Sequence, residues 1–117
     1  MSYKFYCYPK CSTCAKARKK LDELGVPYEE FDITTQTPSA KELKEFFDMT
    51  DIGIRRFFNT SGIKYREMGL SKKLDDMTEE EHFETLASDG MLIKRPLLVG
   101  DDKVLVGYKE SDYESLA

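Results

Sequence analysis

Within the first 33 residues the spacing of apolar side chains changes period twice, and this limits the fold more than any other feature. "YKFYCY", residues 3–8, is aromatic-rich and stops at Pro9. It reads as a short strand, because such side chains pack well on a pleated surface. From Ser12 the period lengthens: Cys14, Ala17, Leu21 and Leu24 recur at three and four residues, one buried helical stripe that ends at Gly25. "VPYEEFDI", residues 26–33, returns to strand character. A helix of that length between two strands is what a parallel crossover requires, so the expectation is a βαβ unit.

Further along, Ser39 with Glu42 and Thr78 with Glu81 have capping-box spacing. Leu43, Phe46 and Phe47, then Phe83, Leu86 and Ala87, give the helices they open an apolar face. Residues 39–88 are therefore expected to be mostly helical. After "ASDGMLIKRP" strand signals return in "PLLVG" and "VLVGY", joined by a tight "GDDK" turn as an antiparallel hairpin, and a short helix fits 110–116. The expected fold class is α/β, in the order β, α, β, helical insertion at about 39–90, β, β, α. A chain of 117 residues can bury one core of this kind as a single domain, 1–117, without disulfide staples.

Composition removes several function classes. No stretch approaches the ~18 apolar residues of a membrane span. The net charge is −4 with basic residues interspersed among acidic ones, so no direct nucleic-acid surface is expected. "MSYKFYCYPK" lacks the apolar core of a secretory signal, so the expected location is cytoplasmic, where thiols stay reduced. Small molecules and proteins remain as partners, and a monomer is expected.

All three cysteines, Cys7, Cys11 and Cys14, fall within eight positions. Their C-x3-C-x2-C spacing matches that of some radical enzymes that bind a cubane cluster through three thiolates. Those enzymes need a large barrel that this chain cannot build. A zinc site would need a fourth ligand, and His82 in "TEEEHFE" reads as an exposed helix residue. No metal is expected, and Cys7 reads as a small buried strand residue. Cys11 and Cys14 remain as a CxxC pair at the turn between strand and helix, the context in which such a pair reads as redox-active. Cys11 at the helix N-terminus meets unpaired N–H groups and the helix dipole; Cys14 lies one turn further in. The outer sulfur is expected to attack and the inner one to resolve. A tyrosine-phosphatase C-x5-R loop fails on spacing, since six residues separate Cys11 from Arg18.

Magnitudes set a further requirement. A free thiol of pKa near 8.5 is roughly 3% thiolate at neutral pH, whereas catalytic thiols lie between about 3.5 and 7.5. A two-unit shift takes roughly 2.7 kcal/mol, and a helix end provides ~0.3–1, at best about 2. Cations must supply the remainder. Among Lys10, Lys16, Arg18, Lys19 and Lys20, two are placed to act: Lys10 adjoins Cys11, and Arg18 follows Cys14 by four residues on the same helix face. Arg95 and Pro96 in "IKRPLLV" read, from the residues alone, only as a proline permitted at a strand start.

Taken together, these motifs resemble a known family: the bacterial glutaredoxin-dependent arsenate reductases and their relatives the Spx-type regulators, a branch of the thioredoxin fold. "YPKCSTC" stands where that family has its catalytic turn, "KYREMGL" is similar to a motif near its middle, and "LIKRPLLV" matches its Arg-Pro strand. The likeness covers nearly the whole chain and is nearest to small members ending after a "GYKE"-like segment. It implies a thioredoxin-like fold with a four-stranded mixed sheet, Cys11 as nucleophile, Pro96 in cis packed against the cysteine turn, and Arg95 directed towards Cys11. Two departures stand out. The family's second and third oxyanion-binding arginines fall on Asn59 and Gly107, while Arg55 and Arg56 nearby read as a solvated helix face. Cys14, moreover, permits an internal disulfide that a glutathione-borrowing reductase does not need.

Three functions compete on this reading. One is a cytosolic thiol–disulfide oxidoreductase regenerated by a thioredoxin, glutaredoxin or glutathione system. Another is an Spx-like redox-sensing regulator that binds the RNA polymerase α subunit. For that reading Gly53 in "MTDIGIRR" resembles the glycine of the polymerase contact, although the sequence stops at Ala117, short of those regulators' longer charged tail. The last is arsenate reduction with glutathione and glutaredoxin. None requires a bound cofactor; glutathione would enter as a co-substrate.

Overall fold

A computed structural model describes residues 2–116. In chain order the elements are β1 Tyr3–Cys7, α1 Ser12–Leu24, β2 Tyr28–Asp32, α2 Ala40–Asp48, α3 Ile63–Glu67, α4 Leu70–Lys73, α5 Glu79–Ser88, β3 Leu97–Val99, β4 Val104–Val106 and α6 Glu110–Glu114, with 3-10 turns at Ile54–Phe57, Leu74–Asp76 and Gly90–Leu92. They fall into two compact units, one running up to Asp32 and resuming at Arg95, the other Ile33–Lys94.

The first unit carries the sheet, in strand order β2-β1-β3-β4. β1 and β2 run parallel, from Tyr3 opposite Tyr28 to Cys7 opposite Asp32. β3 is antiparallel to β1, and β4 to β3, with Leu98 opposite both Phe5 and Leu105. This is the mixed four-stranded sheet of a thioredoxin-like fold. α1 buries Cys14, Ala17 and Leu21, and these join Phe5, Cys7, Leu98 and Tyr113 in one core cluster. Leu24, at the last turn, is only half-buried. The helix stops because Gly25 adopts φ +68°, a left-handed conformation that a side chain would strain, and Val26 N–H closes back on Leu21 C=O at 3.0 Å. Both expected strands are shorter than their apolar runs: β1 ends before Tyr8, and β2 starts after Pro27.

In the second unit both capping boxes form. Ser39 Oγ accepts from Glu42 N–H at 3.1 Å and Glu42 Oε1 accepts from Ser39 N–H at 3.0 Å. Thr78 and Glu81 repeat the exchange at 3.1 and 2.9 Å. The Phe47 ring packs edge-on to both Phe57 and Phe83, centroids 5.7 and 5.5 Å apart. Between α2 and α5 the helical stretch is broken into short pieces, with Gly53, Gly62 and Gly69 each standing just before one. Gly90 is required by close approach: a Cβ there would lie 1.9 Å from the Ile33 carbonyl oxygen.

Candidate active site

β1 ends at Cys7, and the turn through Tyr8, Pro9 and Lys10 delivers Cys11 to the N-cap position of α1. Cys11 N–H donates to Tyr8 C=O at 2.9 Å, and Cys11 C=O accepts the first helical bond from Ala15 N–H at 3.1 Å. A helix start leaves amide N–H groups without intrahelical partners and carries the positive end of the dipole. No acidic residue stands in the first turn of α1 to offset it. Cys11 is half-buried, whereas Cys14 is sealed in the core and its Sγ accepts from Tyr8 N–H at 3.4 Å.

These surroundings separate the two thiols. Burial works against ionising Cys11, but the N–H of Cys14, the Cys14 thiol, the N–H of Thr13 and the charge of Arg95 outweigh it and hold the thiol below its usual value. No amide closes a cap hydrogen bond of ordinary geometry on that sulfur, so the stabilisation is spread over several donors. Cys14 goes the other way: burial first, then its hydrogen bond to Cys11 and the negative charge there, push it up to about 12, against the opposing pull of Tyr8 N–H.

Arg95 and Pro96 are joined by a cis peptide bond. The Arg95 Cζ lies 5.4 Å from the centroid of the Tyr8 ring. Pro96 is buried, and its carbonyl accepts from Gly107 N–H at 2.9 Å.

Lys10 is exposed on the turn. Arg18 is engaged with Glu30, Nε to Oε1 at 2.8 Å and Nη2 to Oε2 at 3.0 Å, and Nη2 also reaches Cys7 Sγ at 3.4 Å. Burial, then the Glu30 carboxylate that the Cys7 thiol faces, push Cys7 up to about 11 despite Arg18. Gly53 is exposed just ahead of the first 3-10 turn of the other unit. There Arg55 is not simply solvated: it donates to Tyr65 Oη at 2.9 Å and to Asp75 Oδ1 at 3.2 Å. Arg56 is exposed, and Asn59 N–H donates to Leu92 C=O at 2.7 Å. His82 is half-buried rather than exposed, with Nε2 2.7 Å from Leu74 C=O and its ring edge-on to Phe58. Among the described residues no cluster of His, Cys, Asp and Glu is placed to hold a metal.

Two residues escaped the reading of the sequence. Glu30 gave no signal beyond an acidic strand position. Tyr8 did stand three residues before Cys11, where a turn carbonyl is needed, but it read as the last residue of a strand.

A thioredoxin-like sheet with a buried and a half-exposed thiol at the start of its first helix defines a protein of the CxxC type. Residues 6–116 match the model of the ArsC family, and the chain belongs to that family. It is 53% identical to the Bacillus subtilis protein YusI over 114 residues, 97% of either chain. It is 30% identical to the global transcriptional regulator Spx of Listeria innocua over 92% of this chain and 80% of the regulator. A crystal structure of an ArsC-family-related protein from Bacteroides fragilis superposes with a TM-score of 0.96 at 44% identity, covering 100% of this chain and 98% of that one.

Proposed function

We propose that the protein is a thiol–disulfide oxidoreductase in which Cys11 attacks and Cys14 resolves. The observation that carries this reading is the different setting of two thiols one helical turn apart: Cys11 half-buried at the N-cap of α1, Cys14 sealed in the core with its Sγ accepting from Tyr8 N–H.

The Cys11 thiolate attacks one sulfur of a substrate disulfide, forming a mixed disulfide and releasing the other substrate sulfur as a thiolate, which takes up a proton. With Cys11 bonded, its negative charge is gone, and so is one of the causes holding the Cys14 proton. Tyr8 N–H remains aimed at the Cys14 sulfur and favours its anion. Cys14 then attacks Cys11 Sγ, expels the second substrate thiolate and leaves a Cys11–Cys14 disulfide. A thioredoxin, glutaredoxin or glutathione system supplies the two electrons that restore the dithiol, glutathione acting as co-substrate and not as a bound group. Cys11→Ser should bring turnover of a model disulfide to background, and Cys14→Ser should trap the mixed disulfide; full activity in Cys11→Ser would end the proposal.

A second reading is favoured by the 30% identity to Spx and the exposure of Gly53: a redox-sensing regulator that binds the RNA polymerase α subunit. Retention on the immobilised C-terminal domain of that subunit, dependent on Gly53 and on the redox state of the pair, would support it; indifference would remove it. Arsenate reduction has less support, since Asn59 and Gly107 stand where further oxyanion-binding arginines would be. Background oxidation of a glutathione–glutaredoxin couple in the presence of arsenate would eliminate it.

A further inference from the structure

We propose that Tyr8 is a positioning residue for the thiol site: its ring holds the Arg95 guanidinium and thereby sets how strongly that charge acts on Cys11. The inference rests on reading Cys11 as the nucleophile. Three contacts converge on this one residue. Its carbonyl accepts from Cys11 N–H at 2.9 Å, its own N–H donates to Cys14 Sγ at 3.4 Å, and its ring lies under Arg95 at 5.4 Å. Attacking sulfur, resolving sulfur and cation are therefore all referenced to Tyr8.

The contacts are separable. The first two use backbone atoms and survive any replacement other than proline. The third uses only the π face, towards which a guanidinium is drawn electrostatically. Arginine is long and flexible, and a charge that wanders acts weakly on a fixed sulfur; an aromatic platform restricts it. Both Tyr8 and Arg95 are half-buried, so water screens the contact less than it would on an open surface. The phenol hydroxyl plays no part.

The test is the pH dependence of Cys11 carbamidomethylation by iodoacetamide in the reduced full-length protein, read by peptide mass spectrometry. Wild type is compared with Tyr8→Phe, Tyr8→Leu, Arg95→Met and the Tyr8→Leu/Arg95→Met double variant. Tyr8→Leu is expected to move the profile to higher pH and slow labelling at pH 7 by about two- to fivefold, the range of a cation–π contact. Tyr8→Phe is expected to match wild type, and Tyr8→Leu to add nothing once Arg95 is Met. Tyr8→Met, of similar reach, measures the same loss independently of how leucine packs. A wild-type profile in Tyr8→Leu, equal slowing in both Arg95 backgrounds, or a Tyr8→Phe as impaired as Tyr8→Leu would each overturn the inference. An ordinary thiol profile in the wild type would defeat the nucleophile reading itself. A low profile that Tyr8→Leu leaves in place would defeat only the role of Tyr8.

Discussion

Cys7 and Cys11 lie four residues apart, each within the influence of an arginine, yet their thiols are driven in opposite directions. Around Cys7, Arg18 is already gripped by both oxygens of Glu30, and the thiol itself faces that carboxylate. The positive charge is spent, burial is complete, and the proton stays to about 11. Around Cys11 no carboxylate stands in the first helical turn, and backbone N–H groups add to the charge of Arg95. An arginine beside a sulfur is therefore not sufficient to ionise it. What separates the two sites is that the Cys7 thiol is fully buried and faces the Glu30 carboxylate, whereas backbone N–H groups at the start of a helix act on Cys11 together with the arginine.

The largest expected contrast is in turnover: Cys11→Ser falls to background on a model disulfide, while Cys7→Ala stays within about twofold of wild type because its sulfur lies outside the exchange. Equal losses would erase the distinction. Next, Arg95→Met should slow Cys11 alkylation at pH 7 by about tenfold, as removal of a nearby opposite charge does, with no comparable change from Arg18→Met. A third contrast is in stability. The unfolded thiol ionises near 8.5 while folded Cys7 keeps its proton to about 11. The native state thus binds more protons in that window. The stabilisation is complete below about pH 8.5 and is lost as pH rises through the folded value. The urea-derived difference between wild type and Cys7→Ala should shrink above pH 8.5 by up to about 1.4 kcal/mol per pH unit, and a flat difference would refute the assignment. Smallest is Ser39→Ala, which should cost α2 about 1 kcal/mol through its cap and leave thiol reactivity unchanged.

The parts of this arrangement that are local in sequence were legible in it. A four-residue stripe ending in glycine specifies α1, serine or threonine three before glutamate specifies the starts of α2 and α5, and CxxC at the strand–helix turn specifies which sulfur is outermost. Contacts that cross between elements were not. Arg18 looked like a cation for the cysteine pair, because nothing in the chain shows that β2 brings Glu30 alongside it from twelve residues away. Arg95 entered only through family resemblance; the residues alone offered a permissible strand-start proline. Residues 39–88 were expected to be mostly helical, and they are, but between α2 and α5 only in short pieces, since glycines interrupt the apolar period before a long helix can form.

The most direct measurement is a titration of the reduced protein with each cysteine followed separately through its 13Cβ resonance. Cys11 is expected to move first, below the ordinary thiol value near 8.5, while Cys7 and Cys14 remain protonated at pH 9. Cys11 titrating at or above that ordinary value, or either buried thiol titrating before it, would contradict the central claim.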